Sequence, residues 1–197
     1  GTSPKRKIAA LNMSLGGGFY SGYCDSSYTA YKAVVDKVRN AGIAVVIAAG
    51  NEYYTNGVGS PGCISSATTV GATTKTATGA PERISSYSNI GTQVDVLATG
   101  GDFSYPSALA GRTSILSSYK GSNATYAHLA GTSMAAPQVA GAFAVIRSKN
   151  ATCAAKTVTE IENAMKSTGL AISDSLRGGS YTRKRINVAA TIAALCP

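Results

Sequence analysis

The sequence predicts an α/β protein built around a parallel sheet. Three observations carry that prediction. Ile43 to Ala49 is a continuous apolar run rich in β-branched residues, the pattern of a strand covered on both faces. Ahead of it, Tyr31, Val34, Val35 and Val38 recur at i, i+3, i+4 and i+7, the spacing of one helix face. Ahead of that helix, Ile8 to Leu15 reads as a buried strand followed by Gly16-Gly17-Gly18. Strand, helix and strand in that order make a βαβ unit with a right-handed crossover, and its sheet is parallel.

The remaining elements follow in order. The first helix stops at Gly42, because glycine tolerates the left-handed backbone that ends a helix. Short strands are expected at Thr69 to Ala72, Val94 to Leu97 and Ser114 to Ser117. Thr99 to Arg112, with its glycines and Pro106, reads as a surface loop. Ser133 to Arg147 is helical, with Val139, Ala142, Phe143 and Ile146 on one face. Thr157-Val158-Thr159-Glu160 is a capping box that opens another helix. Val158, Ile161 and Met165 line its inner side, and Asn187 caps a last helix ending near Leu195. No repeat or linker interrupts the 197 residues, so residues 1–197 are expected to form one domain.

Composition narrows the function classes. No apolar run approaches the ~20 residues that span a bilayer, so no membrane partner is expected. Gly1 to Lys7 is basic, but Asn12 and Ser14 interrupt the apolar segment after it. It therefore does not read as a signal peptide, and the chain is expected to be mature or a fragment. The net charge is +9. Its clusters, Lys5-Arg6-Lys7 and Arg183-Lys184-Arg185, lack interleaved aromatics, so they read as a solvated basic surface and no nucleic acid is expected. Cys24, Cys63, Cys153 and Cys196 form no CxxC pair, and His128 is the sole histidine. That argues against zinc and for two disulfides in an oxidising compartment. Three pairings can be drawn, and the spacing does not choose among them.

One segment carries chemistry: Gly131-Thr132-Ser133-Met134-Ala135-Ala136-Pro137. It places a serine at a helix start, where free N–H groups and the helix dipole favour negative charge. Small neighbours let a substrate backbone approach. Pro137 is expected in the first turn, where it is tolerated because its missing N–H would be unpaired anyway. Read from the residues alone, the segment equally describes an ordinary Thr/Ser-capped helix.

These seven residues resemble the nucleophile motif of the subtilisin-like serine peptidases (peptidase S8), though Gln138 stands where that family usually has histidine. Asn12 to Gly18 is similar to the family strand that binds the peptide and walls the S1 pocket. Ala48-Ala49-Gly50-Asn51 is similar to the opposite wall, which ends on the oxyanion-hole asparagine. Ser85 to Asn89 and Val94 to Ala98 also resemble family segments, and Gly100 to Arg112 looks like an insertion. The resemblance implies a three-layer, doubly wound, mostly parallel sheet. It implies endopeptidase activity through an acyl-enzyme, with Ser133 as nucleophile and Asn51 in the oxyanion hole. Ser14, Leu15, Gly16, Ala48, Ala49 and Gly50 then bind protein or peptide substrates, with apolar or aromatic P1 residues preferred.

The resemblance further implies a Cys24–Cys63 disulfide, which leaves Cys153 with Cys196. It implies secretion, and no cofactor for catalysis. It also aligns Asp95, with the carbonyls of Ser65 and Ala67, to a structural calcium site, and oxygen donors of this kind suit calcium. The family's Asp-Ser/Thr-Gly and His-Gly-Thr-His motifs, which supply the base and its orienting aspartate, are absent. His128 and Asp25, Asp36, Asp95, Asp102 and Asp174 do not match them. The expectation is a C-terminal part of a catalytic domain, incomplete on its N-terminal side, inactive alone and partnered by the missing half. The alternative is a non-catalytic pseudo-peptidase that holds peptides. Asn123 and Asn150 open glycosylation sequons.

Overall fold

The computed structural model describes residues 8–74, 81–103, 113–121, 125–174 and 181–196. Lys5 to Lys7, most of the expected insertion and the sequon residue Asn123 lie outside them. Strand β1 (Ala10–Met13), β2 (Gly17–Tyr20) and helix α1 (Thr29–Asn40) come first. Strands β3 (Ala44–Ala48), β4 (Val58–Ser60), β5 (Thr68–Thr73), β6 (Val96–Thr99), β7 (Ile115–Ser118) and β8 (Tyr126–Leu129) follow. Helix α2 (Thr132–Ser148), α3 (Ala151–Ala154), α4 (Val158–Thr168), β9 (Leu170–Ser173), β10 (Thr182–Arg185) and α5 (Val188–Leu195) complete the order.

A mostly parallel sheet runs β1-β3-β5-β6-β10-β9, with only the β10–β9 pair antiparallel. Strand β3 is buried throughout, and its side chains divide by the period of two that a pleat imposes. Ala44, Val46 and Ala48 join a core with Val139, Phe143 and Ile146 of α2 and Ile161 and Met165 of α4. Val45 and Ile47 join a second core with Val35 of α1, Ile64 and Ile84. Two cores on opposite faces give three layers.

Several local expectations hold. Gly42 takes φ +80° just after α1. Both reciprocal capping-box bonds are present at the start of α4, and Asn187 accepts from the Ala190 N–H. Others change. The Ile8 to Leu15 segment is not a buried strand: Leu11 and Ile8 are exposed, because β1 pairs on one side only and forms the sheet edge. Of the α1 stripe, Val35 is buried and Val38 half-buried, while Tyr31 and Val34 face out. Strand β6 starts at Val96 rather than Val94. Strands β2, β4, β8, β9 and β10 are short or polar, and no period marks them in the sequence.

Candidate active site

Ser133 is the second residue of α2. Thr132, directly before it, holds Asn51 in place. The Thr132 N–H and hydroxyl both donate to Asn51 Oδ1, at 2.8 and 2.9 Å, and the Gly50 N–H donates to Thr132 Oγ1 at 3.2 Å. With Oδ1 occupied twice, the donor end of the Asn51 amide, Nδ2, is left beside Gly131. The Met134 N–H returns to the Gly131 carbonyl at 2.9 Å. The Ser133 N–H belongs to the first turn, where amides have no intrahelical acceptor. Asn51 Nδ2 and the Ser133 N–H both lie beside Gly131, 3.5 and 3.6 Å from where a Cβ there would stand.

Pro137 lies in the second turn of α2, not the first. It has no N–H to give the Ser133 carbonyl four residues back. Ser14 takes that carbonyl instead: its hydroxyl donates to Ser133 O at 2.8 Å and accepts from Asn12 Nδ2 at 3.0 Å. In return the Ser133 hydroxyl donates to the Ser14 carbonyl at 3.4 Å. The proline therefore frees an acceptor that ties α2 to the segment between β1 and β2.

The two expected S1 walls run side by side. Ser14, Leu15 and Gly16 are exposed, while Ala48 and Ala49 are buried and Gly50 is half-buried. Their far ends are joined: β2 pairs with β4, and the Gly59 N–H of β4 donates to the Ala49 carbonyl at 2.9 Å. A side chain at Gly16 would sit 2.9 Å from the Ser60 carbonyl. Gly50 takes φ +105°, where a side chain would be strained.

Asn89, fully buried, fixes the loop that carries Asn51. Its Oδ1 accepts from the Glu52 and Tyr54 N–H groups at 3.1 and 3.0 Å. Its Nδ2 donates to the Ala49 carbonyl at 2.9 Å and to Glu52 Oε2 at 2.7 Å. Tyr53, between those two N–H groups, has φ +63°, a costly backbone for a bulky residue that the surrounding bonds must hold. Sequence reasoning missed the roles of Thr132, Asn89 and Pro137, although all three lie inside quoted motifs. Only contacts reveal what each one holds.

The chain's one histidine is not placed as a base. His128 is exposed on β8, with Nδ1 3.0 Å from Ser114 Oγ across the β7–β8 hairpin. Asp25, Asp36, Asp95 and Asp102 are engaged by Ser65, Lys32, Lys166 and Ser86. Asp174 is buried at the end of β9, its N–H on the Tyr181 carbonyl.

The cysteines pair as Cys24–Cys63 and Cys153–Cys196. Asp95 is not open to a dication. Its Oδ2 accepts from the Thr69 N–H at 2.8 Å, and Lys166 Nζ lies 2.6 Å from its Oδ1. Arg39 donates to the Ser66 carbonyl, between Ser65 and Ala67, at 3.2 Å. The one carboxylate of this donor set already holds a cation, and a second stands on the carbonyl between the other two donors, so the residues do not fit calcium. Among the described residues no cluster of three or more His, Cys, Asp or Glu could hold a metal, and no helix is long and apolar enough to cross a membrane.

A serine on a helix start, an asparagine aimed beside it and a mostly parallel three-layer sheet together define a class of protein. Residues 4–184 match the Subtilase family (Peptidase_S8), and the chain belongs to that family. It is 37% identical over 186 residues to subtilisin DY of Bacillus licheniformis, a match that covers 93% of this chain and 56% of that protein. Subtilisin NAT of Bacillus subtilis subsp. natto is 37% identical over 183 residues, covering 91% and 40%. Among solved structures, a protease from Pseudoalteromonas arctica PAMC 21717 superposes with a TM-score of 0.73 at 31% identity, covering 95% of this chain and 51% of that one. The chain thus spans about half the length of the relatives it matches.

Proposed function

We propose that this chain supplies the nucleophile, oxyanion donors and S1 walls of a secreted serine endopeptidase, and that the base and its orienting aspartate come from a segment docked along β1. The carrying observation is the Thr132–Asn51 clamp, which fixes Asn51 to the residue before Ser133 and leaves its Nδ2 beside Gly131. In this reading a peptide adds as a strand to Ser14–Gly16, and its P1 side chain enters between the walls, whose small residues suit apolar or aromatic groups. Ser133 Oγ attacks the scissile carbonyl while the supplied base takes its proton. Asn51 Nδ2 and the Ser133 N–H stabilise the oxyanion, and water then hydrolyses the acyl-enzyme.

Three features support a docked segment. An edge strand leaves a row of backbone N–H and C=O groups open to pairing, and among the described residues β1 is such an edge. Tyr31 and Val34 are exposed on one flank and Val145 on the other. The relatives are about twice as long as this chain. The two disulfides support an oxidising, extracellular setting.

A fluorophosphonate probe tests the reading. The chain alone should label slowly, because without a base only about 10³–10⁴-fold acceleration over water remains. Labelling should vanish in Ser133→Ala and speed up when a segment carrying the Asp-Thr-Gly and His-Gly-Thr-His motifs is co-expressed. Rapid labelling of the chain alone would show a base within it and sink the proposal. The position of His128 against Ser114 leaves room for a peptide-holding role without catalysis. Peptide binding by the assembled pair with no labelling would favour that role.

A further inference from the structure

At the position that the resemblance aligns with a calcium site, Asp95 is met by a lysine. We infer that the Lys166 ammonium takes the place of the dication there, as a cation tethered to α4 that neutralises Asp95 and makes this end of the sheet indifferent to calcium.

The physical need is clear. Asp95 opens the way into β6, and its side chain is mostly buried, 19% exposed. A carboxylate in that setting needs a positive partner. The resemblance implies a dication in that role. Here Lys166 Nζ, 2.6 Å from Asp95 Oδ1, fills the role, while the Thr69 N–H takes the other oxygen.

The surroundings are also wrong for an incoming dication. A cavity of about 350 Å³ beside Asp95 is lined by Lys166, Arg183 and Lys184 as well as Tyr23 and Thr92. The Arg183 Nε–H donates to the Val94 carbonyl, the residue before Asp95, at 3.0 Å. On the other side Arg39 occupies the Ser66 carbonyl and pairs with Glu162 at 2.5 Å. Asp95 and Glu162 are thus each met by a fixed cation, Lys166 and Arg39, and calcium would have to displace Lys166 with Arg183 and Lys184 lining the same cavity. The tethered ammonium is present at full occupancy whatever the calcium level, whereas a bound ion stabilises only in proportion to its saturation.

Thermal unfolding in a chelator and in about 10 mM calcium, above the Kd of weak extracellular sites, tests this. The wild-type Tm should be the same in both. Lys166→Met should lower the Tm in chelator by about 2–4 °C, the shift of a modest interaction in a chain of this size. Calcium should restore it, and the restoration should vanish in the Asp95→Asn/Lys166→Met double variant. Lys166→Gln keeps the test alive if the methionine variant does not fold. A calcium-dependent rise in the wild-type Tm that Asp95→Asn abolishes would overturn the proposal. So would a lysine variant that stays unmoved by calcium, because Lys166 would then be an ordinary ion-pair partner.

Discussion

Two hydrogen bonds from Thr132 converge on Asn51 Oδ1, and they decide which end of the Asn51 amide is taken up inside the fold. An amide has an acceptor end and a donor end, and its neighbours choose its orientation. In Thr132→Val both hydroxyl bonds are lost, the one to Asn51 Oδ1 and the one from the Gly50 N–H, and only the backbone N–H still holds Asn51. Stability measured by urea unfolding should fall by about 2 kcal/mol, the worth of two neutral hydrogen bonds. Fluorophosphonate labelling of Ser133 should slow as well, since the donor is no longer held. Its ceiling is the about 10²–10³-fold cost of losing one oxyanion donor outright, an effect known from subtilisin itself. Unchanged labelling in a folded Thr132→Val variant would mean that the clamp does not set the donor. Ser14 works at the same scale, by taking the Ser133 carbonyl that Pro137 leaves unpaired.

At the scale of elements, α4 is fixed by its two ends and its buried face. At its start, Thr157 and Glu160 satisfy each other's backbone N–H groups. The Thr157 N–H, then its hydroxyl, then Lys156 hold the Glu160 carboxyl down at about 2. A carboxyl lowered on folding stabilises above its unfolded pKa and loses that contribution as pH falls toward its folded one. The destabilisation caused by Glu160→Gln should therefore be present at pH 7, shrink below about pH 4.3 and disappear near pH 2. Chemical denaturation across that range is the check, and a pH-independent difference would contradict it. Midway along α4, Glu162 receives both Arg39 of α1 and Thr68 of β5. A charge buried among Val158, Ile161 and Met165 is tolerated because Arg39 meets it with two nitrogens, and the pair ties the two helices together around the end of the sheet.

At the scale of the molecule, two covalent ties hold regions that the sheet alone does not. Cys24–Cys63 joins the segment before α1 to the segment after β4, and Cys153–Cys196 joins α3 to the end of α5. Each closes about 40 residues, with separations of 39 and 43. Loop-closure entropy gives such a link about 4 kcal/mol. The Cys153→Ser/Cys196→Ser variant should lose stability of that order in equilibrium unfolding. A loss below ~1 kcal/mol would show that α5 is held by packing on α4 rather than by the bond. The opposite side of the sheet has no such tie, for there β1 ends in an unpaired edge with apolar residues on both flanks.

The sequence by itself determined the class of fold, the helix with its serine, the capping box and the buried β3. These rest on period, local hydrogen bonding and contiguous motifs, which act within a few residues. Cysteine count gave two disulfides, but their pairing needed a resemblance, because sulfur atoms meet through the fold rather than through spacing. Only the tertiary structure decided that β1 is an exposed edge, since burial depends on what packs alongside and not on how apolar a run is. Likewise Asn51 depends on Thr132 81 residues away, Ser133 on Ser14 119 residues away, and Asp95 on Lys166 71 residues away. Hydrogen bonds and ion pairs act over about 3 Å, so partners that far apart along the chain leave no local pattern. Lys166 reads as one more surface lysine until the fold sets it against Asp95.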